Sequence, residues 1–279
     1  MRWPPYEHIF FDCDSTLTTV EGIDILAETA GKKWRVEVLT NAAMDGHLNL
    51  EDVYAKRLQA IHPTRDQIRQ IRRIYKKNVV EDAAAVIAAL QLLGHQVYII
   101  SGGLAEPVME FGISLGVPRS HIRAVGVTYN ELSDRWWDPS QSAFRDNRKY
   151  MQYEHGALTV SDGKAQIVKE LMGQQNGRSL LIGDGTSDLL ASHAVNLFVG
   201  FGGVVTRKRV QENAPLYLQS QSLSPLLAVA TGPAGLRLLN NTPYQETFEK
   251  GLNLIKTGAI TFNNERIKTK FNRAFNASH

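Results

Sequence analysis

The stretch His8-Ile-Phe-Phe-Asp12 constrains this chain more than any other, because a short apolar run breaks off abruptly into polar residues. Such a run suits a strand buried on both faces of a parallel sheet, its carboxyl end opening to solvent. The pattern recurs. Gln96 to Ile100 reads as a strand ending at Ser101-Gly102-Gly103, and Ser179-Leu-Leu-Ile-Gly183 as one that stops at Asp184. Leu197-Phe-Val-Gly-Phe201 is a further strand. Helical stretches lie between them: Ala83 to Leu93 before Gly94, about Leu104 to Leu115 before Gly116, and one beginning near Gly163 that carries Ile167, Val168 and Leu171. Strands separated by helices of this length predict an α/β fold built on a doubly wound parallel sheet with right-handed crossovers. Ligands bind such sheets beyond the carboxyl ends of the strands. The clusters Asp12–Thr18, Ser101–Gly103 and Asp184–Asp188 are therefore expected to meet in space.

Between Thr18 and about Asn78 no convincing strand occurs. Ile23, Leu26, Ala27 and Ala30 fall at helical spacing before Gly31, and Val53, Tyr54, Arg57, Leu58 and Ile61 share one face of another helix. Thr64 with Gln67 forms a capping-box pattern opening a third, whose inner face is Ile68, Ile71, Ile74 and Tyr75. Residues 126 to 160, with Trp136 and Trp137, look like a hairpin or long loop. Beyond Ser222, Ser224-Pro225 reads as a helix start with the serine as N-cap, followed by the apolar stripes Tyr244, Phe248, Leu252, Ile255 and Ile267, Phe271, Phe275. The expected division is a Rossmann-like core over 1–17 and 79–222, a helical cap over 18–78 inserted after the first strand, and a C-terminal helical extension over 223–279.

Composition excludes several classes. No apolar run approaches the ~18 residues of a membrane span. No apolar stretch follows Arg2 as in a secretory leader, and the single cysteine, Cys13, allows no intrachain disulfide, so a cytoplasmic protein is expected. A net charge of +3 is too small to argue for nucleic acid. The basic residues of Lys56–Lys77 and of the tail (Arg266, Lys268, Lys270, Arg273) read as solvated helix faces.

The chemistry lies at the strand ends. Asp12 and Asp14, two apart on leaving a strand, can face one substrate. One carboxylate can attack phosphorus, while the other, kept protonated by the negative charge around it, can protonate a leaving alkoxide. Asp184 can join Asp12 in offering the hard oxygens that suit Mg²⁺, and Asp188, one helical turn on, can hold a lysine or metal waters. The alternative role for Asp184 is N-cap of the next helix. Ser101, Gly102 and Gly103 offer a hydroxyl and bare amides at an expected helix N-terminus, and Lys164 adds a positive charge to neutralise phosphate oxygens. Rival chemistries fail on spacing. Gly163-Lys164 is no P-loop, because Leu158 stands where glycine is needed and Ala165 follows the lysine. Cys13 is no phosphatase-loop nucleophile, because Thr19 stands where an arginine is required. Cys13 reads instead as a small buried strand residue.

The order Asp12-Cys-Asp14-Ser-Thr, Ser101-Gly-Gly, Lys164, Gly183-Asp-Gly-Thr-Ser-Asp188 resembles the haloacid-dehalogenase-type phosphatases, and among them the phosphoserine phosphatases, over about residues 7 to 220. Glu21-Gly-Ile-Asp24, Ala43-Met-Asp-Gly46, Lys56-Arg-Leu58 and Gly200-Phe-Gly-Gly203 are similar to stretches of that family. The resemblance implies a phosphoaspartate on Asp12, Asp14 as acid and then base, and Mg²⁺ held by Asp12, the Asp14 carbonyl and Asp184, with Asp188 supporting the site. It further implies phosphate held by Ser101, Gly102 and Lys164, with Ser187 supporting the site; Gly103 beside them is a further substrate-site candidate. The substrate ammonium would lie on Glu21 and its carboxylate on Arg57, with Met44 and Leu50 lining the cap pocket. A planar guanidinium suits a carboxylate independently of any resemblance. Leu50 stands where the family usually has an aromatic residue, the segment Val127–Asp162 is longer than the family's, and the tail has no counterpart there.

The expected activity is hydrolysis of a small phosphomonoester, foremost L-phosphoserine, with no nucleic-acid or membrane partner and with a homodimer allowed by the tail. The alternatives are a phosphatase or phosphotransferase for a sugar or polyol phosphate, or an inactive scaffold that binds a partner.

Overall fold

The computed structural model describes residues 3–44, 50–130 and 148–276, apart from the side chains of 43–52. Strand β1 (His8–Phe11) is buried along its whole length, as its unbroken apolar run demands. The chain then leaves the sheet for four helices, α1 (Gly22–Thr29), α2 (Lys33–Met44), α3 (Leu50–Ile61) and α4 (Arg65–Lys77). It returns through α5 (Ala83–Leu92) into β2 (Gln96–Leu104) and α6 (Ala105–Ser114), then β3 (Ile122–Val125) and an antiparallel pair, β4 (Val127–Tyr129) and β5 (Tyr150–Tyr153). Alternation resumes with α7 (Lys164–Met172), β6 (Ser179–Gly183), α8 (Thr186–Leu190), β7 (Leu197–Phe201), α9 (Lys208–Asn213) and β8 (Leu216–Leu218). The last part comprises α10 (Pro225–Thr231), α11 (Pro233–Leu238), α12 (Gln245–Lys256), β9 (Ile260–Phe262) and α13 (Glu265–Asn276).

Seven strands form the main sheet in the order β3-β2-β1-β6-β7-β8-β9. Every neighbouring pair in it is parallel except β8 with β9. Its register fixes the site. His8 lies level with both Gln96 and Ser179, and Phe11 with Ile99 and Ile182. Asp12, Ser101 and Asp184 thus emerge within one residue of the same height, at adjoining strand ends.

The helical excursion is pinned where it leaves and rejoins the core. Thr18 bridges Val79, with Thr19 N–H donating to Asn78 O at 2.8 Å and Val80 N–H to Leu17 O at 2.9 Å. Helix α4 begins with the expected capping box between Thr64 and Gln67, and Ile68, Ile71 and Tyr75 are buried on its inner face. Its basic residues are not simply solvated. Arg65 and Arg69 reach Glu106 of α6 at 2.8 and 3.0 Å, and Arg72 pairs with Glu110. These half-exposed pairs contribute little individually, ~0–1 kcal/mol each, but they set where the helical layer rests. The β4/β5 pair adds backbone bonds to the same layer, Tyr150 N–H to Pro63 O and Arg65 N–H to Arg148 O, both 2.9 Å.

Several elements depart from the expectations. Helix α2 lacks an apolar stripe: Val36 and Thr40 are buried while Trp34 and Val38 are exposed, so periodicity gave no signal. Ser101-Gly102-Gly103 lie within the end of β2, which runs on to Leu104, rather than at a helix N-terminus, since α6 starts only at Ala105. The segment after 222 is not helical throughout, because β9 adds an antiparallel edge strand to the sheet. Ser224 precedes Pro225 at the start of α10 but does not cap it; its hydroxyl pairs with Ser222 Oγ at 2.7 Å. All seven residues of α10 are buried. Trp3 donates its indole N–H to Val229 O at 2.7 Å and packs edge-on to Phe271 at 5.2 Å, joining both ends of the chain to one core. Trp136 and Trp137 lie outside the described residues. Among the described residues, no helix is long and apolar enough to cross a membrane.

Candidate active site

Beyond β1 the chain folds sharply. The Leu17 amide donates to Cys13 O at 2.8 Å, and Ser15 takes a positive φ of 54°, a turn that sends Asp12 and Asp14 to one side. Cys13 itself is fully buried. Oδ1 of Asp12 accepts from the Cys13 amide and from Lys164 Nζ, both at 2.8 Å. Lys164, the first residue of α7, also donates to Asp188 Oδ1 at 2.7 Å. Burial alone would lower the lysine's pKa, yet the carboxylates of Asp12 and Asp188 outweigh it and hold Lys164 charged. Asp188 is fully buried and its Oδ2 takes the Gly185 amide at 3.0 Å, so both oxygens are committed to holding the loop and the lysine.

Gly183 shows why this strand end needs glycine: a Cβ there would overlap the Asp188 carboxyl. Gly183→Ala is expected to destabilise the protein by about 1–3 kcal/mol through overpacking, read from denaturant unfolding.

Asp14 is walled in by the helical layer. Its Oδ1 accepts from the Tyr75 hydroxyl and its Oδ2 from the Gly22 amide at 3.4 Å. Burial, opposed by the Tyr75 bond and helped by the charge of Asp12, pushes its pKa up to about 7. Glu21 accepts from Ser15 Oγ at 2.7 Å and is pushed up to about 8 by burial and then by Asp14. Asp184 accepts from Thr16 Oγ1 at 3.3 Å and from Arg207 Nε at 3.0 Å; burial and then the charge of Glu21 push it up to about 7.

Asp12, Asp184 and Asp188 each offer a carboxylate oxygen within 4.8 Å of the others, and all three are buried. Acids held this close, with burial raising the pKa of Asp184 and Asp188, form a donor set that suits a small divalent cation. Asp12 has only its Oδ1 engaged, whereas both oxygens of Asp184 and of Asp188 already accept hydrogen bonds, so Asp12 is the freest ligand of the three.

Asp12, Asp14, Glu21, Lys164 and Asp184 line one cavity of about 330 Å³, at the small end of ligand pockets, roughly 300–1,000 Å³. Ser101, Gly102, Gly103 and Ser187 share its wall, with Ile23, Leu104, Leu158 and Leu190 as apolar surface. Arg57 enters it from α3. The side chain is 5% exposed and donates to Thr40 Oγ1 at 3.1 Å, while its Nε has no hydrogen-bond partner among the described residues. Desolvation lowers its pKa.

The cavity thus gathers Asp12, Asp14, Glu21, Arg57, Ser101–Gly103, Lys164, Asp184 and Ser187, with Asp188 directly behind. The side chains of Met44 and Leu50 lie outside the described residues. Sequence reasoning missed Arg207, which follows the Gly200-Phe-Gly-Gly203 turn and lies 3.8 Å from Glu21. It also missed the roles of Tyr54 and Tyr75, which read only as helix-face packing. Proximity to a strand end was an available signal for Arg207; none existed for the tyrosines.

A haloacid dehalogenase-like hydrolase profile matches residues 6–196. Over 212 residues the chain is 31% identical to phosphoserine phosphatase of Mus musculus, covering 75% of this chain and 88% of that one. Against phosphoserine phosphatase of Drosophila melanogaster it is 32% identical, with coverages of 75% and 73%. A solved phospho-aspartyl intermediate analogue of phosphoserine phosphatase superposes with a TM-score of 0.65 at 23% identity, covering 80% of this chain and 98% of that chain. At that identity the likeness speaks for the fold alone.

Proposed function

The chain belongs to the haloacid dehalogenase-like hydrolases, and from that premise we propose that it hydrolyses L-phosphoserine through a phosphoaspartate on Asp12. The observation that carries the substrate choice is Arg57, a buried guanidinium in the cavity wall with an unpartnered Nε. Burying such a group without a hydrogen-bonding partner is costly, and a ligand carboxylate relieves the cost bidentately. Glu21, on the same cavity, supplies the complementary acid for an ammonium. A phosphomonoester carrying one carboxylate and one ammonium matches both.

In this reading Lys164 and the Cys13 amide hold Asp12 Oδ1, leaving Oδ2 to attack phosphorus in line with the leaving serine oxygen. Asp14, with a pKa near ambient pH, gives its proton to that oxygen. The same carboxylate then takes a proton from the water that opens the phosphoaspartate, releasing inorganic phosphate. Ser101, the Gly102 amide and Lys164 receive the non-bridging oxygens, where charge accumulates. Mg²⁺ fits the oxygen set, with Asp12 and Asp184 as side-chain ligands and the Asp14 carbonyl beside them, and it would supply neutralisation of the phosphoryl charge. Ser187 supports the loop after β6. The single buried cysteine accords with a cytoplasmic setting.

Arg57→Ala is expected to lower kcat/KM for phosphoserine by about 10–100-fold, the loss of a charge-assisted bond. Turnover of p-nitrophenyl phosphate, which lacks the carboxylate, is expected to change far less. Equal losses on both substrates would sink the assignment.

A further inference from the structure

Tyr54 stands one helical turn before Arg57 on α3, and its hydroxyl crosses from the helical layer to the sheet, donating to Gly102 O at 2.9 Å. Its ring packs on Tyr153 of β5 with centroids 4.9 Å apart, and the Arg57 guanidinium lies 5.5 Å from its centroid. Burial raises the phenol's pKa, so the hydroxyl remains a donor.

The Gly102 carbonyl and the Gly103 amide belong to one planar peptide unit, so a bond to either end orients the other. At its far end the Gly103 N–H donates to Ser101 Oγ at 2.9 Å. Ser101 is 1% exposed, lines the cavity, and its own hydroxyl proton meets no acceptor among the described residues. With one lone pair engaged by Gly103, that hydroxyl proton is turned toward whatever anion fills the cavity.

We propose that Tyr54 is a positioning residue for the phosphate site, acting through the Gly102–Gly103 peptide to aim the Ser101 hydroxyl. The chain of bonds runs Tyr54 O–H, Gly102 C=O, Gly103 N–H, Ser101 Oγ, and each link polarises the next. The same ring faces the Arg57 guanidinium, so one cap side chain touches both Arg57 and the peptide that sets the Ser101 donor. A bare phosphate site built from β2 alone would leave this peptide plane free to tilt. The proposal rests on the phosphatase reading above but not on phosphoserine as the substrate.

The test is inhibition by inorganic phosphate, measured in Mg²⁺ with p-nitrophenyl phosphate as reporter. Tyr54→Phe removes only the hydroxyl and keeps the ring against Tyr153. It is expected to raise the phosphate Ki about fivefold, the net worth of one hydrogen bond. In a Ser101→Ala background the same change is expected to shift Ki less than about twofold, because the group it acts through is gone. An unchanged Ki in Tyr54→Phe, or an equal rise in both backgrounds, overturns the proposal. A lack of preference for phosphoserine, with these Ki shifts intact, would fail the substrate assignment alone.

Discussion

Asp12→Asn will abolish phosphate release, lowering turnover on the order of 10⁴-fold or more, the scale seen when a nucleophile is removed from a concerted site. The substitution is nearly isosteric, and the retained side-chain oxygen can still accept from the Cys13 amide and Lys164. What disappears is nucleophilicity toward phosphorus. Asp188 continues to hold Lys164 at 2.7 Å, so the lysine keeps a partner and the site should not collapse. Wild-type enzyme quenched in acid during turnover should carry a phosphoryl adduct, and Asp12→Asn should carry none. A variant that retained even a few per cent of wild-type turnover, or that still formed the adduct, would remove Asp12 from its role.

Removing divalent metal will make stability fall as pH rises, and restoring Mg²⁺ will cancel the fall. Asp14 and Asp184 hold protons up to about 7 and Glu21 up to about 8, while their ordinary values are 3.8, 3.8 and 4.5. Between the ordinary and the raised values the folded protein binds more protons than the unfolded chain. The stabilisation from the raised values is therefore complete below about pH 4 and is lost as pH climbs through 7 to 8. A cation bound to the ionised oxygens works in the opposite sense, stabilising the folded state most where the acids are deprotonated. Thermal melts in chelator should drop from pH 5.5 to pH 8, each kcal/mol lost lowering Tm by roughly 2–4 °C. Millimolar Mg²⁺ should raise Tm far more at pH 8 than at pH 5.5. An equal Mg²⁺ shift at both pH values would place the ion elsewhere. His95, whose pKa burial lowers, acts against this trend at the acid end, so the comparison with and without Mg²⁺ is the decisive one.

Those two effects trace back to residues that local patterning could single out. An apolar run must be buried, and the carboxyl end of a parallel strand must open, so Asp12, Asp14, Ser101 and Asp184 were legible as a converging set. The β1, β2, β6 and β7 strands and the buried faces of α3 and α4 were legible for the same reason, since periodicity reports burial directly. Short elements were not. Strand β3 is as short as β1 but breaks its apolar run at Arg123, β8 and β9 have three residues each, too few for a pattern to register, and β9 exists only because β8 offers an edge. Helix α2 buries too little to carry a stripe.

Sequence by itself determined the four central strands of the sheet, the helical excursion after β1 and the acids at the strand ends. Each of those follows from whether neighbouring side chains prefer water or the interior. Apart from the lysine expected on Asp188, tertiary structure alone decided which groups partner those acids. Lys164 reaches across to Asp12 and Asp188, Tyr75 sits on Asp14, Arg207 neutralises Asp184, and Tyr54 seats the Gly102 carbonyl. The physical reason is that hydrogen bonds and ion pairs depend on distance and direction between residues remote in the chain, and no local pattern encodes either.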